Sequence, residues 1–108
     1  MLFPVRGRAG GGGDFGLTCP AGHGVIGYGG RGGLLLDQLF LHCAELVVDG
    51  AQVLPGERVQ TDRGGGNGGA PFADVFCPMG TFATAGIIRA GDGVDAMGIA
   101  CAPLTLMD

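Results

Sequence analysis

The chain contains no lysine, no serine and no long apolar run. Its six arginines are scattered, and with ten acidic residues they leave a net charge of -4. There is therefore no basic stripe to neutralise phosphates or attract an anionic bilayer, and neither nucleic acid nor a membrane is expected as a partner. The absence of serine excludes a serine nucleophile, and His23 and His42 are the only histidines available as general bases. No stretch approaches the roughly 18 apolar residues of a membrane helix. Residues 1–13 lack the apolar core of a signal peptide. The expectation is that a leader has been removed or that the module was cut from a longer chain.

What the chain has in excess is glycine, 25 of 108 residues, with 6 prolines. That level approaches the roughly 25–30% typical of low-complexity chains. Hydrophobic residues at 46% and charged residues at only 15% point the other way, because enough apolar surface is present to offset the entropy of ordering. The glycines read as turns in a folded, loop-rich protein. A chain of this length fits one domain, burying about 65% of its unfolded surface.

The chain matches itself at an offset of 58 residues. CPAGHGVIGYGGRGGLLLDQLFLHCAEL, residues 19–46, aligns without a gap to CPMGTFATAGIIRAGDGVDAMGIACAPL, residues 77–104, with nine of 28 positions identical. The identities include Cys19/Cys77, Pro20/Pro78, Arg31/Arg89, Asp37/Asp95 and Cys43/Cys101. A single β domain, residues 1–108, is expected to hold two repeats, about 10–46 and 68–104, joined by a hairpin segment, 47–67.

Leu39, Leu41 and Cys43 alternate on one face, and Met97, Ile99 and Cys101 do the same in the second copy, which is the period of a half-buried strand. Each copy reads as a strand, a glycine-rich turn containing Arg31 or Arg89, and a second strand ending in cysteine. Asp49-Gly50 is a two-residue hairpin signal, and Pro55-Gly56 suggests a type II turn. With no sustained helical period, the fold class expected is all-β.

Four cysteines allow three pairings. If the copies fold alike, Cys19 with Cys43 and Cys77 with Cys101 is the simplest solution, and it implies an oxidising, extracellular or cell-surface setting. Free buried thiols are a second reading. Zinc held by Cys19, His23, His42 and Cys43 is a third, opposed by the second copy, where Thr81 and Ala100 replace the histidines. No metal or cofactor is expected.

Gly27-Tyr28-Gly29-Gly30-Arg31-Gly32 satisfies the dinucleotide pattern G-x-G-x-x-G, but a β-like segment follows where a helix is required. His42 alternates with Phe40 on a strand face, as a packed or solvent-facing histidine would, and neither histidine recurs in the second copy. An enzyme is not expected.

GVIGYGGRGGLLLDQLFL resembles the C-terminal hairpin of jacalin-related lectins, with their Gly-x-x-x-Asp loop. Leu54-Pro55-Gly56-Glu57-Arg58-Val59 is similar to that family's L-x-P-x-E-x-I strand. GNGGAPF, beginning at Gly66, is similar to its glycine-rich approach to the last hairpin. The cysteine-framed form is also similar to vitelline membrane outer layer proteins. Both families imply a β-prism of three Greek-key sheets. Two repeats leave the third sheet unaccounted for and sheet edges exposed, so either a homodimer or a parent chain with additional repeats is expected.

The lectin resemblance implies a mono- or oligosaccharide as ligand, its hydroxyls held by an aspartate and by backbone N–H groups that glycines leave accessible. The implied sugar-binding residues are Gly91, Asp92, Gly93, Val94 and Asp95 in the polar second copy, and Gly33, Leu34, Leu35, Leu36 and Asp37 in the first. Partner loops are residues 10–13, with Gly11 and Gly12, and residues 64–69, with Gly68 and Gly69. The alternative implied by the cysteine-framed relatives is a non-enzymatic extracellular structural or protein-interaction module, in which Asp37 and Asp95 accept backbone N–H bonds and hold their turns shut.

Overall fold

Ten strands occur among the described residues of the computed structural model, which are 2–5, 15–33, 36–90 and 94–105, and no helix is found among them. In chain order they are β1 (Leu2–Val5), β2 (Phe15–Thr18), β3 (His23–Gly32), β4 (Leu36–Asp49) and β5 (Gln52–Gln60). Then come β6 (Gly64–Gly65), β7 (Ala70–Phe76), β8 (Phe82–Ala90), β9 (Val94–Ala102) and β10 (Leu104–Thr105). All pairings are antiparallel. β1 pairs with β2, β8 with β9, and the main sheet runs in the order β10-β5-β4-β3-β7, with β6 also on β4. The class is thus all-β and antiparallel, and no sheet closes into a barrel or prism among the described residues.

The duplication is written into the hydrogen-bond ladders. In the β3–β4 hairpin the pairs Val25↔Cys43 and Gly27↔His42 leave Ile26 unpaired, and Arg31↔Gln38 and Gly32↔Leu36 leave Asp37 unpaired. In β8–β9, Ala83↔Cys101 and Ala85↔Ala100 skip Thr84, and Arg89↔Ala96 and Ala90↔Val94 skip Asp95. Both bulges therefore recur 58 positions on, residue for residue. The turns before them recur as well: His23 N–H donates to Pro20 O at 3.2 Å, and Thr81 N–H to Pro78 O at 3.0 Å.

Two pieces differ from the sequence expectation. Arg31 lies within β3 and Arg89 within β8, so the turn in the first copy begins only after Gly32. Pro55-Gly56 makes no turn; it continues β5 as a bulge, where Glu45 alone faces Gly56 and Glu57 between the pairs Ala44↔Arg58 and Leu46↔Pro55. The Glu45 side chain closes the bulge by accepting the Glu57 N–H at 3.1 Å, which makes up for the irregular ladder there. The turn falls instead at Gly50, φ 64°, as Asp49-Gly50 signals.

The bulge at Ile26 lets Val25 and Tyr28 point to the same side. That side holds the main core: Leu17, Cys19, Val25, Tyr28, Leu36, Leu39, Leu41, Cys43 and Ala83, with Met97 and Ile99 of β9 packed on it. Ile26 itself turns to a smaller cluster with Ala44, Val53 and Phe82. Both disulfides are formed, Cys19–Cys43 and Cys77–Cys101, each spanning 24 residues, with Cα atoms 5.8 and 5.7 Å apart. The sulfurs of Cys19 and Cys43 are bonded to each other, so no thiolate is available for the zinc reading.

Candidate functional site

The hairpin tip of the first copy is shaped by the second bulge. A bulged residue is released from the ladder and its side chain is re-aimed, and here that residue is Asp37. Its backbone remains engaged, since its carbonyl accepts the Gly66 N–H at 2.6 Å. That bond docks the glycine-rich segment that follows β6 against the tip.

Three further side chains hold the segment in place. Arg31 donates from Nε to Gly68 O at 3.3 Å and from Nη2 to Gly69 O at 3.0 Å. Buried Gln38 donates from Nε2 to Gly66 O and to Asn67 Oδ1, both at 3.2 Å, and accepts from Arg63 Nη1 at 3.1 Å. Thr61 bridges the gap between β5 and β6: its N–H donates to Leu41 O, and its Oγ1 accepts the Leu41 N–H, each at 2.9 Å.

The Asp37 carboxylate lies directly over this segment. A Cβ built on Gly68 would stand 3.0 Å from Asp37 Oδ1, and one on Gly69 would stand 2.5 Å from Oδ2, in a backbone with φ +65°. Only glycine fits at position 69 on both counts. The half-buried Asp37 carboxylate takes no side-chain hydrogen bond or ion pair among the described residues. Among the described residues no buried side-chain oxygen or nitrogen lacks a partner.

Of the sugar-binding residues anticipated from sequence, Asp37, Gly68 and Gly69 are brought together, with exposed Gly33 at the start of the same tip. Leu36 is 8% exposed and belongs to the core, which leaves only its backbone at the tip. Leu34, Leu35, Gly11, Gly12, Gly91, Asp92 and Gly93 lie outside the described residues. Val94 and Asp95 are placed by their backbone in β9, where Asp95 occupies the bulge position equivalent to that of Asp37.

On the same sheet lies an arrangement that the sequence reading did not anticipate. His42 donates from Nε2 to Asp74 Oδ2 at 2.8 Å, and its ring centroid is 5.1 Å from that of Phe40 and 4.5 Å from that of Phe76. Arg63 Cζ caps Phe40 at 4.1 Å and Arg58 Cζ caps Phe76 at 5.2 Å, so cation, ring, imidazole, ring and cation follow in one row, with Phe40 and the imidazole meeting edge to face. Gly29 makes the room: a Cβ there would be 2.6 Å from Phe40 Cζ and 2.5 Å from Asp74 Oδ1. Glycine inside a strand signals such a close approach, and with the alternation of Phe40 and His42 on one strand face it was the cue available in the sequence.

Beside the row runs an open groove of about 760 Å³, lined by Arg31, Gln38, Phe40, Gln60, Arg63, Asn67, Phe72 and Asp74, with Gly30 and Pro71. Among the described residues, no group of three or more His, Cys, Asp or Glu side chains is placed to hold a metal ion. No protein-family model, curated protein or solved structure matches the chain.

Proposed function

We propose that the chain is a non-enzymatic carbohydrate-binding module of β-prism-like architecture. Its two hairpin tips, residues 33–37 and 91–95, receive the hydroxyls of a hexose. The observation that carries this reading is the bulged Asp37, whose half-buried side chain lies over Gly68 and Gly69 and takes no side-chain hydrogen bond or ion pair among the described residues. A carboxylate in that position accepts charge-assisted bonds from sugar hydroxyls, and the glycines keep Cβ atoms out of the way of an approaching ring.

The strand order lends support to the architecture. β3, β4 and β5 follow one another as hairpins and β7 returns beside β3, which is a Greek-key order. The two disulfides agree with a secreted or cell-surface location, where such bonds persist.

A monosaccharide titration followed by backbone amide shifts tests the reading. Glucose, galactose and mannose are each added to millimolar concentration, with Asp37→Ala and Asp95→Ala alongside. Shifts clustered at residues 33–37 and 66–69, and abolished in Asp37→Ala, support it. No shift with any of the sugars would reject it.

A further inference from the structure

The groove beside the first tip carries a charge that the rest of the chain does not. The chain is net -4, yet this groove is lined by two arginines and one carboxylate, Asp74, which already accepts from His42. The only ion pair among the described residues is His42–Asp74, so neither Arg31 nor Arg63 has a carboxylate partner there.

Both guanidiniums are held but not saturated. Among the described residues Arg31 uses Nε and Nη2 on Gly68 and Gly69, which leaves Nη1 unspent, and Arg63 uses Nη1 on Gln38, which leaves Nε and Nη2. Gln38 stands between them, as the register partner of Arg31 and the acceptor for Arg63. Arg63 is also fixed over the Phe40 ring. Two oriented guanidiniums in a solvent-open groove present the planar, multi-donor surface that matches a carboxylate.

The remaining lining selects the rest of the ligand. Gln60 and Asn67 contribute amides, Asp74 contributes a carboxylate, and Phe72 and Pro71 contribute apolar surface. Amides and a carboxylate pair with hydroxyls, and apolar surface of an aromatic ring suits the C–H face of a pyranose. Asn67 immediately precedes Gly68, which lies under Asp37, so the groove begins where the tip ends.

We infer that the groove between Arg31 and Arg63 is a subsite for an acidic sugar. It takes the carboxylate of a hexuronate unit that neighbours the sugar held at residues 33–37. The inference rests on the carbohydrate-binding reading and names the class of glycan, one containing uronic acid.

Calorimetric titrations at low salt compare methyl glucuronide, methyl glucoside and a triglutamate peptide. The glucuronide is expected to bind about tenfold more tightly than the glucoside, with the advantage shrinking as salt rises. Arg63→Gln should weaken glucuronide binding about tenfold more than glucoside binding, and Arg63→Lys should restore part of the difference. Because Arg63 also covers Phe40, Asn67→Asp provides a second variant. It keeps the Oδ1 that accepts from Gln38, adds a negative charge to the groove, and should selectively repel the glucuronide.

Equal affinity for glucuronide and glucoside overturns the acidic subsite and leaves the tip reading standing. Arg63-dependent glucuronide binding with no glucoside binding upholds the groove and removes the tip. A triglutamate that binds as tightly as the glucuronide overturns the sugar assignment, since the groove would then read charge alone. No binding of either sugar removes both readings.

Discussion

Tyr28 donates its hydroxyl to the main-chain carbonyl of Met97 at 3.1 Å, joining strands 69 residues apart. The bond ties the hairpin of one repeat to that of the other, in the middle of the apolar cluster they share. Tyr28→Phe removes the donor and leaves the carbonyl unpaired, so a loss of about 1–2 kcal/mol is expected in denaturant melts.

The same residue sets an alkaline limit. Burial raises the Tyr28 pKa above its ordinary 10.0, because the charged phenolate is poorly solvated there. The unfolded chain releases this proton first. The stability linked to Tyr28 is therefore complete below pH 10 and is lost as pH rises through the raised folded value. Tyr28 is the only tyrosine, so tyrosinate absorbance reports it alone. A midpoint at or below the ordinary value would contradict the burial argument.

Each disulfide closes a loop of the same length and should contribute about 3.5 kcal/mol by the chain-entropy argument. Their accessibility differs. Cys19 and Cys43 are 5% and 0% exposed, whereas Cys77 and Cys101 are half-buried. Under limiting reductant, alkylation and mass mapping should find Cys77 and Cys101 modified first.

Asp37→Ala and Gly69→Ala should separate binding from folding. The first removes a carboxylate with no side-chain partner among the described residues, so stability should change by no more than about 0.5 kcal/mol while sugar binding is lost. The second forces a Cβ against Asp37 Oδ2 at φ +65° and should cost about 1–3 kcal/mol. A large stability loss in Asp37→Ala would mean that the carboxylate serves the turn.

Asp74→Ala leaves the His42 ring N–H, on a residue 6% exposed, without its acceptor, and should cost about 1–3 kcal/mol. Asp74→Asn keeps an acceptor oxygen and should recover most of that. Gly29→Val drives bulk into Phe40 and Asp74 and should destabilise by about 1–3 kcal/mol in thermal melts, independently of sugar.

What the sequence made legible were the features set by neighbours along the chain and by the repeat. The alternation of Leu39, Leu41 and Cys43 marked a buried face, and all three are 0% exposed. Asp49-Gly50 marked its turn, and the repeat favoured the cysteine pairing that forms. The bulges were not visible, because an extra residue changes the facing without leaving a compositional mark; Val25 and Tyr28 share a side only through Ile26. Pro55-Gly56 was misleading because the Glu45 side chain accommodates it inside a strand. At the site, Asp37 and Gly69 could be named from the repeat and the resemblance, but their contact spans 32 residues. The row around His42 draws on Arg63, Phe76 and Arg58, residues with no spacing in common.

A bulge specifies how many residues are present and is largely indifferent to which. The two hairpins keep step with each other over the same two irregularities, although only nine of 28 aligned positions agree. The tips they carry have diverged completely between the flanking glycine and aspartate, from Leu-Leu-Leu to Asp-Gly-Val. The ladders thus act as a pair of interchangeable mounts, and what is mounted can drift without retuning the frame. A sequence change confined to one tip therefore leaves the register of both hairpins as it was.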